Sequence, residues 1–212
     1  MPIMGQIAEK VVEGNEAEVE TLVKEALRRK VDAKSILEES FVVGLDVVGD
    51  KFTKGELFLP EMLMASVAVK AGLEILRPFL TKSKVKPAGI MVTGTVVGDI
   101  HDIGKNIVSM MCEGSGFKVI DLGVDVTAEK FIGAAKKHNA DIIAMSALLS
   151  TTMENMGSII QAIRSAELNE DIKIMVGGAP VTEDFADAIG ADGYAPDAGL
   201  AVKKARELLG VA

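Results

Sequence analysis

Residues 89–104 read Gly-Ile-Met-Val-Thr-Gly-Thr-Val-Val-Gly-Asp-Ile-His-Asp-Ile-Gly, and this stretch decides the fold. Its first part, 89–93, is a short apolar run of the kind that forms a buried strand. A loop rich in glycine and polar residues follows, and an apolar pattern with helical spacing begins at Gly104. A strand, a loop and a helix in this order are the first half of a βαβ unit.

The same alternation continues to the end of the chain. Strands are predicted over 89–93, 118–122, 141–146, 172–176 and near Tyr194, and helices over 104–113, 127–138, 152–166, 182–188 and 197–209. Five strands that alternate with helices predict an α/β fold: a Rossmann-like or flavodoxin-like, doubly wound parallel sheet. Helices are expected on both faces of this sheet.

The N-terminal part of the chain has a different pattern. Between residues 3 and 80 the apolar residues recur at helical spacing, which predicts four helices in a small all-α bundle. Asn15 and Asp32 stand at cap positions, and Pro60 suits the first turn of the fourth helix. Residues 47–60, between the third and fourth helices, are predicted to be rich in turns.

A polar and basic segment, 81–87, separates the two patterns and is closed by a proline. The residue before a proline is disfavoured in a helix, so this segment is predicted to be a linker. We therefore expect a helical domain over residues 1–84 and a sheet domain over residues 85–212.

Composition excludes several classes of protein. The 212 residues are 49% hydrophobic and carry a net charge of −8, so the chain is globular and no basic surface supports nucleic-acid binding. No secretory leader and no run of about 18 apolar residues is evident, which predicts a cytoplasmic protein without a membrane partner. With two histidines and one cysteine, the chain cannot form an internal disulfide or a zinc site made of Cys and His.

The candidate site lies where the strands end. In a parallel sheet of this class, ligands bind at the carboxyl ends of the strands, near the point where the strand order reverses. The loops after the first, third and fourth strands should meet there, and the first contains His101 with Asp99 two residues before it. A carboxylate that orients an imidazole is typical of a metal ligand or a base. A single histidine suffices only when a macrocycle supplies the other ligands, and haem and corrinoid both qualify.

Three other interpretations of these loops stand beside this one. The first loop could cradle a flavin phosphate, although Asp99 and Asp102 would repel it. The hydroxyls after the third strand could be ordinary residues of a strand-to-helix connection, with Thr151 or Thr152 as the helix cap. A glycine pair after a strand usually forms a tight turn, but the pair 177–178 could also let a long group pass close to the backbone.

Three motifs stand in the order and spacing of cobalamin-binding domains. Residues 99–104 fit DxHxxG, residues 146–148 fit SxL, and residues 177–178 fit the glycine pair. Residues 49–60 resemble the helical cap domain of methionine synthase and of corrinoid methyl carriers. The chain thus resembles corrinoid methyl carriers over nearly its whole length, and the cap favours methyl transfer over mutase chemistry.

The resemblance implies roles for individual residues. His101 would be the lower axial ligand of cobalt, Asp99 would hold its other ring nitrogen, and Thr152 would complete the relay where methionine synthase has a serine. Phe52 and Leu59 would cover the upper face of the cofactor. The other expected cofactor contacts are Ile100, Asp102, Gly104, Ser146, Leu148, Ser150, Gly177 and Gly178.

The resemblance also implies a carrier subunit. It would hold cobalamin or a related corrinoid and carry a methyl group on cobalt from a substrate-specific methyltransferase to a second methyltransferase with tetrahydrofolate or coenzyme M as acceptor. A reductive activator is a further expected partner. A corrinoid-based sensor, and less favourably a flavodoxin-like electron carrier with FMN, are the alternatives.

Overall fold

The computed structural model describes residues 2–166, 168 and 171–211. The chain forms two compact units, one of Met1–Pro87 with Met110–Gly116 and the other of Ala88–Ser109 with Phe117–Ala212. The end of one helix from the second half of the chain therefore groups with the first unit. The linear division between residues 84 and 85 stays a prediction.

The helical unit is built from four helical stretches, as the sequence predicts. These are α1 (Ile3–Val12), α2 (Glu16–Arg28), a continuous stretch of α3 (Ala33–Ile36), a π-helical segment (Leu37–Val42) and α4 (Val43–Thr53), and finally α5 (Leu59–Lys82). The predicted caps are present, because Asn15 accepts from the backbone N–H of Glu18 and Asp32 accepts from that of Ser35. Pro60 lies in the first turn of α5.

The prediction of turns over residues 47–60 was wrong for residues 47–53, which form the second half of α4. Of the two glycines in the predicted segment, Gly49 lies buried within α4 and only Gly55 lies in a turn; Gly44, just before the segment, is also buried within α4. A Cβ at position 44 would stand 2.7 Å from Cγ1 of Val11, so this glycine lets α4 pack closely against α1. Only residues 54–58 form the turn.

The second unit is a five-stranded parallel sheet in the order β2-β1-β3-β4-β5. The strands are β1 (Ile90–Thr95), β2 (Lys118–Asp121), β3 (Ile142–Ser146), β4 (Lys173–Gly177) and β5 (Gly193–Ala195). The helices are α6 (Ile103–Gly114), α7 (Ala128–His138), α8 (Ser150–Met153), α9 (Asn155–Ser165), α10 (Glu183–Ala188) and α11 (Ala198–Leu209). The predicted α/β fold and its flavodoxin-like class are confirmed.

The core of the sheet follows from the apolar runs that predicted the strands. Val92, Ile143 and Ile174 are fully buried on the three central strands, as expected for a parallel sheet that is covered on both faces. Two carboxylates hold the amino ends of these strands: Asp141 accepts from the N–H of Ile90 at 2.7 Å and Asp192 accepts from the N–H of Ile174 at 2.6 Å. In the described part of the chain, no helix is long and apolar enough to cross a membrane.

Helical glycines that pack closely against a neighbouring helix and helical glycines that face open space should respond differently to substitution by alanine. Gly44→Ala should lower the free energy of unfolding by about 1–3 kcal/mol, because the added methyl group overlaps Val11. Gly133→Ala in α7 is the matched control: a Cβ there meets no atom within 4 Å, so the change should raise that free energy by about 0.5–1 kcal/mol. Urea unfolding of both variants measures the sign, and stabilisation by Gly44→Ala would contradict the packing argument.

Candidate functional site

The carboxyl ends of the strands form a row. Thr95 of β1 pairs in register with Ser146 of β3, Ser146 with Gly177 of β4, and Gly177 with Ala195 of β5. The strand order reverses between β1 and β3, which is where ligands bind in doubly wound sheets. The loops after β1 and β3 meet at this point, as the sequence predicts, since the N–H of Val96 donates to the carbonyl of Ser146 at 3.0 Å.

Asp99 is the centre of the site. It is buried, and its Oδ1 accepts from the backbone N–H of His101 at 3.0 Å and from the imidazole at 2.7 Å. Its Oδ2 accepts from the hydroxyl of Thr152 at 2.6 Å and from the N–H of Leu148 at 2.8 Å. A buried carboxylate is stable only when such donors surround it, so the two loops together create this position.

These contacts determine the charge of Asp99. Burial by itself raises the pKa of this carboxyl, but the hydrogen bonds from Thr152, from the backbone N–H groups of His101 and Leu148 and from the imidazole outweigh burial and hold its pKa well below the usual range. Asp99 is therefore an anion at neutral pH although it is shielded from water.

The anion in turn selects the tautomer of His101. An ionised carboxylate can only accept hydrogen bonds, so the neutral imidazole carries its proton on Nδ1 and donates it to Asp99. Nε2 then has a lone pair that is available to a metal. The side chain is 47% exposed, which leaves this nitrogen accessible. The carbonyl of His101 accepts from the hydroxyl of Thr95 at 2.9 Å, and this contact fixes the loop beneath the ring.

Large apolar side chains on the segments that meet at Asp99 are exposed. Ile100 is 75% exposed and Ile103 is 68% exposed on either side of His101 in the chain, and Leu148 and Leu149, whose N–H groups donate to Asp99, are each about half exposed. A group of this size on the surface of an α/β unit is typical of a binding site for a large, partly apolar ligand. Among the described residues, no cluster of three or more His, Cys, Asp or Glu could hold a metal. One imidazole in an apolar surround fits a metal that brings a macrocycle with it.

The hydroxyl residues after β3 take three different positions. Ser146 ends the strand and is half-buried, Ser150 begins α8 and is exposed, and Thr152 is buried. The prediction that Thr151 or Thr152 caps the helix was wrong, because α8 begins at Ser150, after Leu149. The hydroxyl of Thr152 turns instead to Asp99, since a carboxylate is a stronger acceptor than a carbonyl.

The packing of the protein itself accounts for one glycine of the pair 177–178. A Cβ on Gly178 would lie 1.9 Å from the carbonyl oxygen of Ala147, and its φ of +126° is a conformation that other residues rarely adopt. The N–H of Ala147 also donates to the carbonyl of Gly177. Close approach of the β3 and β4 loops therefore requires glycine at position 178, and passage of a ligand along the pair stays a prediction.

The remaining predicted residues lie at several places. Asp102 is exposed and accepts from the side chain of Asn106 at 3.0 Å, and Gly104 is exposed with no atom near its missing side chain. Phe52 and Leu59 belong to the helical unit, where Phe52 is half-buried in α4 and Leu59 is 47% exposed at the start of α5.

Sequence reasoning missed the residues that support the His101 loop from beside and below. Asn155 donates to the carbonyl of Val97 at 3.0 Å, and Asp125 accepts from the N–H of Gly98 at 2.8 Å. Asp125 lies in the loop after β2, where the sequence pointed to no candidate site residue. The only available signal was that β2 follows β1 in the chain and could pair with it, so that the loop after β2 could lie beside the His101 loop.

Comparison with known proteins gives a family for both halves of the chain. Residues 89–203 match the family described as the B12 binding domain, and residues 4–77 match a second family with the same description. The flavin-binding interpretation of the first loop is not supported by this match.

Individual relatives cover almost the whole chain. A corrinoid protein of Desulfitobacterium hafniense strain Y51 is 41% identical over 213 residues, which is 99% of each chain. Dimethylamine corrinoid protein 1 of Methanosarcina acetivorans is 44% identical over 186 residues, which is 87% of each chain. In the crystal structure of the methanol:cobalamin methyltransferase complex from Methanosarcina barkeri, the matching chain has a TM-score of 0.82 and 29% identity, with 99% of this chain and 80% of that chain covered.

The buried Asp99, the accessible Nε2 of His101 and the exposed apolar residues around it are therefore features of a protein whose two halves both match B12-binding families. The chain belongs to the family of corrinoid proteins that carry the B12 binding domain.

Proposed function

We propose that this protein holds a corrinoid at the carboxyl edge of its sheet and carries a methyl group on the cobalt between two methyltransferases. The observation that carries the proposal is the hydrogen-bonded chain from Thr152 through Asp99 to Nδ1 of His101, which leaves Nε2 for a metal. The relatives support the same function, because they are corrinoid proteins named for dimethylamine and a subunit of a methanol:cobalamin methyltransferase complex.

His101 would bind the cobalt through Nε2. A bound corrinoid supplies a cobalt centre that accepts a methyl group from one partner and gives it up to another. Asp99 would keep the ring in the ligating tautomer and fix its orientation. Thr152 stabilises the anion by donating its hydroxyl hydrogen to Oδ2, the nearer of two acceptors at 2.6 Å, the other being the carbonyl of Leu149 at 3.0 Å.

The apolar residues near His101 would contact the corrin ring and the displaced base. Ile100 on the loop after β1 and Leu148 on the loop after β3 are two of these exposed residues. Further cofactor contacts along the same edge would come from Asp102, Gly104, Ser146 and Ser150. The nucleotide tail of the cofactor would lie against the backbone of Gly177 and Gly178. Phe52 and Leu59 of the helical unit would cover the upper face and exclude water from the methyl group.

Two methyltransferases and a reductive activator would be the partners. One methyltransferase transfers the methyl group from a small substrate, such as a methylamine or methanol, and the other passes it to tetrahydrofolate or coenzyme M. Substrate specificity would belong to the first of these partners, because the His101 site consists of residues that face the corrinoid. The protein itself would be a non-catalytic carrier that acts in the cytoplasm.

Replacement of the ligand tests the axial role. The His101→Ala variant should still bind hydroxocobalamin, but its visible spectrum should shift to the base-off form, because no protein nitrogen replaces the lost imidazole. His138→Ala, which removes the other histidine at the end of α7, should leave the wild-type spectrum unchanged. An unchanged spectrum in His101→Ala would exclude this residue as the ligand.

The hydroxyl of the relay can be removed with almost no change in shape. Thr152→Val should lower the free energy of unfolding of the cofactor-free protein by about 1.5–3 kcal/mol, since Asp99 loses a hydrogen bond to a charged group. Thr152→Ser keeps the hydroxyl and should lose much less. Chemical unfolding compares the two, and a loss in Thr152→Val no larger than that in Thr152→Ser would contradict the role assigned to the hydroxyl.

Methyl transfer itself requires partner enzymes. The reduced, cobalamin-loaded protein should take up a radiolabelled methyl group when a methylamine- or methanol-specific methyltransferase and its substrate are added, and should lose it to a second methyltransferase. His101→Ala should slow this exchange. Failure to take up label with every partner, together with a spectral response to light or a small ligand, would favour the sensor alternative.

A further inference from the structure

One surface loop holds the His101 loop from its side. This loop, residues 121–127, begins with the last residue of β2 and leads to α7. It runs against the end of β1, because the N–H of Thr95 donates to the carbonyl of Gly123 and the N–H of Val126 donates back to the carbonyl of Thr95, both at 3.0 Å. The loop is therefore fixed to the strand from which the His101 loop emerges.

Asp125 makes two contacts with the His101 loop. Its Oδ1 accepts from the backbone N–H of Gly98 at 2.8 Å, and its own N–H donates to the carbonyl of Asp99 at 3.0 Å. These bonds hold the peptide groups on both sides of the Asp99 nitrogen. The Asp99 carbonyl belongs to one of the two peptides that flank the Asp99 Cα, and the Gly98 N–H belongs to the peptide just before them. Asp125 therefore restrains the backbone on both sides of the residue whose carboxylate orients His101.

The backbone of Asp125 supports this interpretation. Its φ is +53°, a left-handed conformation that costs energy for every residue except glycine. Aspartate and asparagine tolerate it best, but glycine would be free of strain. The side chain is exposed, so packing does not demand it. A strained residue persists where its surroundings hold it, and here the holding contacts are those to Gly98 and Asp99.

The same loop holds the other end of the His101 loop. Lys105, in the first turn of α6, is 3% exposed, and its Nζ donates to Asp121 at 2.5 Å and to Asn106 at 2.6 Å. Asn106 in turn donates to Asp102, next to His101. The loop of residues 121–127 thus contacts both the segment before His101 and the helix after it.

We propose that Asp125 is a positioning residue: it holds the Gly98 and Asp99 peptides so that Asp99 meets Nδ1 of His101. The proposal rests on the proposed function in that His101 is taken as the cobalt ligand. It assigns to the loop after β2 a part in corrinoid binding that its exposed position does not suggest.

The test compares two substitutions of one residue. Asp125→Asn keeps an acceptor oxygen and tolerates the left-handed backbone, so it should bind hydroxocobalamin within about twofold of the wild type. Asp125→Gly removes the acceptor and relieves the backbone strain, and it should weaken binding by about 3- to 10-fold, the equivalent of one hydrogen bond. Its visible spectrum should also show a larger base-off fraction.

Asp141→Gly is the matched control at the opposite edge of the same sheet. Asp141 likewise accepts from a backbone N–H, that of Ile90, and exchanges backbone hydrogen bonds with neighbouring strands. Asp141→Gly should lower the free energy of unfolding but leave the base-off fraction of the bound cobalamin unchanged. A spectral change that is equal in Asp125→Gly and Asp141→Gly would overturn the proposal, because it would reflect a general loosening of the sheet.

A double-mutant cycle separates this proposal from the proposed function. If Asp125 acts through His101, Asp125→Gly should add no spectral change and less than about twofold in affinity to His101→Ala. Should His101→Ala alone leave the spectrum unchanged, the axial role fails. Should His101→Ala shift the spectrum while Asp125→Gly does not, only the positioning role fails. A full additional loss of affinity in the double variant would also overturn the positioning role.

Amide exchange gives a readout without cofactor. In the cofactor-free protein, Asp125→Gly should speed hydrogen exchange at the N–H groups of Gly98 and His101, whereas Asp125→Asn and Asp141→Gly should not. Unchanged exchange at both groups in Asp125→Gly would overturn the proposal.

Discussion

The site depends on one buried anion. Asp99 lies where a carboxylate would be unstable, and it stays ionised because the Thr152 hydroxyl, two backbone N–H groups and the imidazole of His101 donate to it. Its charge determines the tautomer of His101 and so which ring nitrogen is left for a metal. The donors come from two loops, so neither loop alone can create the position.

The sheet brings those loops together. In-register pairing places Thr95, Ser146 and Gly177 side by side, and the segments that follow them leave the same edge. Carboxylates lie at both edges and make different contacts: Asp141 and Asp192 accept from backbone N–H groups at the amino ends of strands, whereas Asp99 at the carboxyl edge also accepts from the imidazole of His101, the residue proposed as the cobalt ligand.

The pattern of apolar residues was sufficient for most of the fold. Short apolar runs separated by helical patterns predicted all five strands, and the motif of residues 99–104 predicted His101 and Asp99 as partners. Glycine misled the prediction in the helical unit, since a glycine that permits close helix packing and a glycine that permits a turn look alike in a sequence. Gly49 lies buried within α4, whereas Gly55, with a φ of +73°, lies in the turn.

The sequence by itself determined the order of elements, the class of the fold, the residue types at the site and the resemblance to corrinoid proteins, because these follow from local periodicity and from motifs with fixed spacing. Only the tertiary structure decided that Thr152 donates to Asp99 and caps no helix, that Gly178 is required by the carbonyl of Ala147, and that Asp125 holds the His101 loop. Each of these contacts joins residues from different βα units. Their distances depend on strand order and register, which local patterns do not contain.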